Sequence, residues 1–313
     1  MLRQVGFIIV LLVAFSWLIF VPPSYAQSTF PASSNVVEVG VYVLNIGKFD
    51  LASGTYTVDF YLSMHCANTN CNMGTFEFMN GRATSIRQIE DTPIEKFWRI
   101  EASLYENLNL QNYPFDSHTI TIRIEDTNLT KQNLTYVADQ KNSGLDSSIV
   151  IVGWSVANWN QEVIDHYYQV YNQTYSQYVF SVTLSRKPTN ALEIFIPVFF
   201  LTFIALIAML MYGKVSSVLE SRILLTASVR IAAVLYQFTL DNSIPPLGYL
   251  TFVDKFMIAT YGIIVSCLVV GIMVLKYHHR EEMVESERIQ FYSVRLMPVV
   301  TLIIYAILFG FFL

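Results

Sequence analysis

Charge is scarce in this chain, and the scarcity narrows its chemistry. Asp, Glu, Lys and Arg make up 14% of the 313 residues, against 53% hydrophobic residues. That balance fits two domains, one of them in lipid. The little charge present is unevenly signed. From Gln27 to Leu192 there are 16 acids against 10 Lys and Arg, a net of −6, whereas from Glu193 onward 8 acids balance 8 bases. An acidic polar half argues against a nucleic-acid partner. Cysteine is rarer still, with three in the chain. Cys267 lies in an apolar run and reads as a small hydrophobe. Cys66 and Cys71 share a polar turn, too few for a structural zinc site; a local disulfide and two free thiols both remain open. There is no nucleophile elbow, no phosphate-binding loop and no His/Cys cluster at metal-ligand spacing, and His278 and His279 are adjacent in a charged link. No catalytic residue, metal or cofactor is expected.

The order of segments is clear. Met1–Ala26 reads as a secretory signal, with Arg3, an apolar run from Val5 to Val21 and the exit Ser24-Tyr25-Ala26; a true first membrane helix is the alternative. Residues 27–188 are β territory, with strand-like runs at Val36–Ile46, Thr55–Ser63, Phe97–Tyr105, Ser117–Glu125, Ser148–Val156 and Tyr175–Ser185. Short strands with polar turns predict one antiparallel sandwich. Sequons stand at Asn128, Asn133 and Asn172. Residues 189–313 carry four apolar segments, Glu193–Tyr212, Ser221–Leu240, Leu250–Leu275 and Leu296–Leu313, each near the roughly 20 residues needed to span a bilayer. Lys276, Arg280, Arg288 and Arg295 cluster between the third and fourth, so that link is expected inside. Four crossings then leave both the sandwich and the C-terminus on the extracellular or periplasmic side of a cell membrane. The expected fold is α+β: an extracellular antiparallel β-sandwich followed by a four-helix transmembrane bundle.

The second apolar segment is not a plain anchor. Drawn as a helix at about 100° per residue, one stripe collects Glu220, Leu224, Ser228, Ile231, Leu235, Phe238 and Asn242. It is acidic at one end, polar once in its first half, apolar in the middle and polar again at the far end, which suits the wall of a narrow ion pathway. Ordinary helix packing is the alternative. Arg230 lies off this stripe at mid-membrane depth, where a charge is costly and usually functional; an Arg capped at a subunit interface is equally compatible.

Several motifs then point one way. Tyr113-Pro114-Phe115-Asp116-Ser117-His118 resembles the F/Y-P-F-D-x-Q signature of pentameric ligand-gated ion channels, the Cys-loop receptor superfamily. Thr183-Leu184-Ser185-Arg186 is similar to that family's last strand, Ile196-Pro197 to its first-helix proline, Ile244-Pro245-Pro246-Leu247-Gly248-Tyr249-Leu250-Thr251 to its second-to-third helix linker, and Gly153-Trp154 to a strand motif. The likeness runs from about Val36 to the end and is closest to prokaryotic members. This chain departs from the family in lacking the two loop cysteines, near Glu106 and Ile120, and a Trp-x-Pro motif, and in carrying His118 where Gln is usual.

The resemblance implies a homopentamer in a lipid bilayer, conducting monovalent cations, with the second helix lining the pore. Glu220 falls at the inner acidic ring, followed by the usual basic position at Arg222. Ser228 falls at the central polar ring, Ile231 and Leu235 at the hydrophobic gate, and Phe238 and Asn242 near the outer mouth; Asp241 would add a second negative ring. Arg222 lies on the face away from the stripe. Coupling between domains is expected at Lys48, Asp50, Tyr113, Pro114, Phe115, Asp116, Arg186, Pro245 and Pro246, with Arg186 paired to Asp116 or Asp50, or simply anchored at the membrane edge. The agonist would sit under the hairpin Val163–Tyr178, where Tyr167, Tyr168, Tyr171, Tyr175 and Tyr178 offer rings for an amine. His118, His166 and the carboxylates equally permit protons as the ligand. A non-conducting membrane sensor or adhesion protein shares this architecture and needs no such stripe.

Overall fold

The computed structural model describes residues 35–66, 71–213, 215–242, 244 and 246–310; the expected leader, residues 1–26, and Pro245 lie outside them. Alternation of apolar side chains builds the β half. In β1 (Asn35–Asp50), Val37, Val39, Val41 and Val43 point inward. β2 (Thr55–Cys66) contributes Tyr56, Val58, Phe60, Leu62 and Met64, and β5 (Glu95–Tyr105) contributes Trp98, Ile100, Ala102 and Leu104. These strands form the middle of a sheet ordered β4-β5-β2-β1-β7, with β4 at Gly81–Asp91, β7 at Leu134–Ala138 and the short β8 (Gly144–Leu145) also on β1. The second sheet runs β3-β6-β10-β9, at Phe76–Phe78, Ser117–Asp126, Gln173–Arg186 and Trp154–Tyr168. Ile120, Ile122 and Ile124 of β6 and Tyr178, Phe180, Val182 and Leu184 of β10 face the first sheet across one core. Because side chains alternate with period two, a one-residue slip in any of these strands would turn its core face to water.

Pairing is antiparallel except for β7 and β8, which run parallel to β1. The strand expected at Ser148–Val156 begins only at Trp154, after Gly153 turns the chain with φ +81°, and then continues to Tyr168. Cys66 and Cys71 are joined as a disulfide.

Four helices follow: α1 (Pro188–Ala208), α2 (Ser216–Asp241), α3 (Phe252–His279) and α4 (Met283–Gly310), all long and apolar enough to cross a membrane. Pro188 opens α1 in its first turn, where its missing N–H is harmless. Thr251 and Asp254 cap α3 reciprocally. The Tyr305 hydroxyl of α4 meets Thr202 of α1 at 2.8 Å and Thr260 of α3 at 3.0 Å, tying three helices at one depth. α4 begins well before Leu296, so the link between α3 and α4 shrinks to three residues, Arg280–Glu282. Of the four basic residues expected there, Lys276, Arg288 and Arg295 lie on the flanking helices. A β-rich domain followed by four membrane-length helices is the architecture expected from the sequence.

Candidate functional site

The sandwich meets the helices through the segment between β5 and β6. Leu110 and Tyr113 are buried with helix residues instead of with the sheets, and the Tyr113–Pro114 peptide is cis. Phe115 stacks on Phe195 of α1 at 5.7 Å and meets Phe252 of α3 edge-on at 5.7 Å. The Tyr249 hydroxyl oxygen accepts the Leu110 N–H at 2.9 Å, while the Phe252 N–H donates to the Gln111 carbonyl at 2.9 Å. Lys48, Phe49, Asp50, Leu51 and Ala52, at the β1–β2 turn, line a cleft of about 320 Å³ with Asn242 and Ile244 from the α2–α3 link. Pro246 is exposed in that link.

At the centre of this junction is an ion pair. β6 and β10 are paired up to Ser117 and Ser185, so the residues just beyond, Asp116 and Arg186, are brought side by side. Arg186 Nε donates to Asp116 Oδ1 at 2.6 Å and Nη2 to Oδ2 at 2.9 Å. His118 Nε2 lies 2.6 Å from the same Oδ2. The side chains of Asp116, His118 and Arg186 are 1%, 3% and 8% exposed. The guanidinium also lies over the rings of Tyr113, at 4.8 Å, and Trp154, at 4.3 Å. Burial pushes the Asp116 carboxyl up, but the bonds from Arg186 and then His118 outweigh it and hold the group at about 2. Of the two partners considered for Arg186, the structure selects Asp116; Asp50 is 3.8 Å from Lys48 in an exposed pair. Trp154 comes beside the pair through the β9–β10 register, which no local pattern encodes, whereas His118 follows Asp116 by two residues on the same segment.

On α2, all seven stripe residues are exposed, with Leu224 at 70%, Ile231 at 63%, and Leu235 and Phe238 each at 61%. Asp241 is exposed beside them. The opposite face, Leu219, Arg222, Thr226, Val229, Ala233 and Leu240, is buried. Ser228 donates its hydroxyl proton to the Leu224 carbonyl at 2.9 Å, which leaves its lone pairs to the open side. Arg222 is 1% exposed; its Nη1 donates to Gln290 Oε1 of α4 at 2.6 Å, and Gln290 Nε2 donates to the Met209 carbonyl at 2.5 Å. Nothing in the sequence pattern connected Gln290 with Arg222. Arg230 is exposed at the edge of the open face.

The five tyrosines of the β9–β10 hairpin divide. Tyr168 is the hub of a cluster, with ring centroids of His166, Tyr175 and Tyr171 at 4.3, 5.5 and 6.4 Å. Its hydroxyl donates to Glu125 Oε2 of β6 at 2.9 Å. Tyr167, the next residue along the strand, bonds Asn172 instead, at 2.9 Å. Tyr178 is fully buried in the sandwich core and donates to Gln161 at 2.7 Å, out of reach of an external ligand. Glu125 was not singled out in the sequence, because two acids in a row at the end of a strand look like a solvated turn.

No protein-family model matches the chain. Among curated proteins it is similar to one named "Proton-gated ion channel" from Gloeobacter violaceus (strain ATCC 29082 / PCC 7421), at 20% identity over 274 residues, 77% of this chain and 75% of that protein.

Proposed function

We propose that this chain is one subunit of a homopentameric, cation-selective ligand-gated ion channel of a cell membrane, with the sandwich and the C-terminus outside and α2 around the pore. The open face of α2 carries the reading. The exposed residues of α1 include Leu192, Ile196, Phe199, Phe200, Phe203 and Ile207, a surface suited to lipid. The exposed face of α2 instead bears Glu220, Ser221, Ser228, Arg230, Asp241 and Asn242 among its apolar residues. Such groups are expensive against hydrocarbon and belong against water or another subunit. Set around a five-fold axis, Glu220 makes a negative constriction that favours monovalent cations, and rings of Ile231 and Leu235 close the pore by dewetting.

The ligand, a small molecule or a proton, acts on the sandwich. The Arg186–Asp116 pair and the Phe115 contacts carry its effect to α1 and α3, and the β1–β2 turn carries it to the α2–α3 link. The similarity to a protein named as a proton-gated channel supports the same class. The test is voltage clamp on cells expressing the chain, in sodium gradients, with pH steps and a panel of amines. A current whose reversal potential moves when Glu220→Ala is introduced supports both channel and filter. Silence under every condition, with pentamers present at the surface, favours a non-conducting sensor.

A further inference from the structure

Glu125 is 2% exposed, yet no Lys or Arg is paired with it among the described residues. Its two oxygens are instead filled by neutral-capable donors. Oε1 takes Gln177 Nε2 of β10 at 2.5 Å and the Nδ1 of His166 of β9; Oε2 takes the Tyr168 hydroxyl of β9 at 2.9 Å. The sheet order is β6-β10-β9, so these bonds reach across the central strand and fasten the hairpin to the body of the sandwich. The His166 side chain is 39% exposed, so a ring bonded through Nδ1 to a buried carboxylate is within reach of solvent. A buried carboxylate without a cation is costly, and a cation arriving on its partner removes that cost.

Among the described residues the nearby bases are already paired: Arg123, two residues along β6 on the same face, donates to Glu106 at 3.0 Å. On β6, Asp126 is occupied with the N–H groups of Thr75, Asn128 and Leu129. On β3, Glu77 adds negative charge near Tyr168, and burial followed by the Glu125 bond pushes the Tyr168 hydroxyl well above its ordinary value, so it stays a donor. On β7, Tyr136 is buried and likewise pushed upward, by burial first and then by Asp126 and Glu125. Tyr175 of β10 and Tyr171 of the turn contribute neutral rings. Lys131 is likewise taken, by Asp165 at 2.5 Å.

We propose that His166 and Glu125, with Tyr168 and Gln177, form a proton-binding site that pins the β9–β10 hairpin, and that proton uptake there is the gating event. This rests on the ligand-gated reading above. With the imidazole neutral, Nδ1–H donates to Glu125 and the site keeps a net charge of −1. A proton from solution then binds Nε2 on the open side, no bond breaks, and the site becomes a neutral imidazolium–carboxylate pair. The hairpin is held most firmly with the proton bound, at low pH, and loosens once the proton leaves as pH rises.

Two readouts on the full-length chain in liposomes keep the two claims apart. Hydrogen exchange of the turn amides 169–172, corrected for intrinsic rates, should slow at least tenfold from pH 8 to pH 5.5 in the wild type. His166→Gln and Glu125→Gln should each abolish that difference, whereas Glu101→Gln, exposed on β5 of the other sheet, should leave it unchanged. Proton-activated current should have its midpoint shifted by one pH unit or more in His166→Gln. Should that variant not assemble, Glu125→Gln replaces it. Protection independent of pH in the wild type overturns the site. A pH-dependent hairpin with an unchanged current midpoint in His166→Gln overturns its gating role, and currents that rise with pH overturn the direction. Pinning without current in any condition keeps the proton site and rejects the channel.

Discussion

The buried pair at the domain junction sets a measurable coupling energy. The Asp116 carboxyl is held at about 2 rather than 3.8. At 1.36 kcal/mol per unit, that difference is on the order of 2–3 kcal/mol in favour of the charged form. Both side chains are nearly inaccessible, so solvent screening removes little of it. Arg186→Gln strands a carboxylate whose other bond is to His118, and breaking one side of such a pair costs roughly 3–5 kcal/mol. Asp116→Asn strands the guanidinium between Tyr113 and Trp154 at a similar cost. The double variant removes both charges, so the cycle should close with a coupling of about 2–3 kcal/mol. Urea unfolding in detergent, checked for reversibility and followed by tryptophan fluorescence, is a direct assay because Trp154 lies 4.3 Å from the guanidinium. Additive effects, within about 0.5 kcal/mol, would refute the argument and leave the pair as a mere neighbour contact. The pH dependence has a fixed sign. A depressed carboxyl contributes fully above its ordinary 3.8 and loses that contribution as pH falls towards about 2. Asp116→Asn should therefore flatten stability over that acid window.

Ile231→Asp should produce a standing leak, read as resting current in the absence of ligand, since a ring of carboxylates wets the apolar girdle; unchanged resting current with normal surface expression contradicts a gate at this depth. Gln290→Leu removes the acceptor at 2.6 Å from Arg222, so thermal melts in detergent should drop by an amount matching roughly 2–3 kcal/mol. Gln290→Glu gives the same guanidinium a carboxylate and should melt at or above the wild type; a drop equal to that of the Leu variant would show that the contact contributes nothing.

What could be read from sequence follows from periodicity. β1, β2 and β5 bury mainly one face, so their alternation is visible along the chain, and the apolar members of β6 and β10 still recur at every second position. β4 escapes because Ile86 and Ile89 are both exposed and neither face is covered, which leaves no alternation to see. β9 begins late because Gly153 spends the preceding residues in a turn. The open stripe of α2 and the inward turn of Arg222 follow from helical phase alone. The polar partners do not. Glu125 with His166 and Arg222 with Gln290 are set by strand register and helix packing, and join residues 41 and 68 positions apart.

The two arginines of α2 bear on the proposed assembly. Eight residues apart, Arg222 and Arg230 differ by about 80° in direction on the helix. Arg222 points into the bundle, where Gln290 meets one nitrogen while Nε and Nη2 have no partner among the described residues. Arg230 points to the rim of the open face, with no hydrogen bond or ion pair among those residues. In lipid, a single subunit would present Arg230 to hydrocarbon, a cost of several kcal/mol. Ringing the helices removes that cost in one step. In the proposed ring the stripe faces water, and each Arg230 rim turns towards the opposite rim of the next α2, where Ser228 and Ala232 lie at the matching depth. Assembly and pore formation are then one event, so a variant that weakens the ring should lose folded protein and current together.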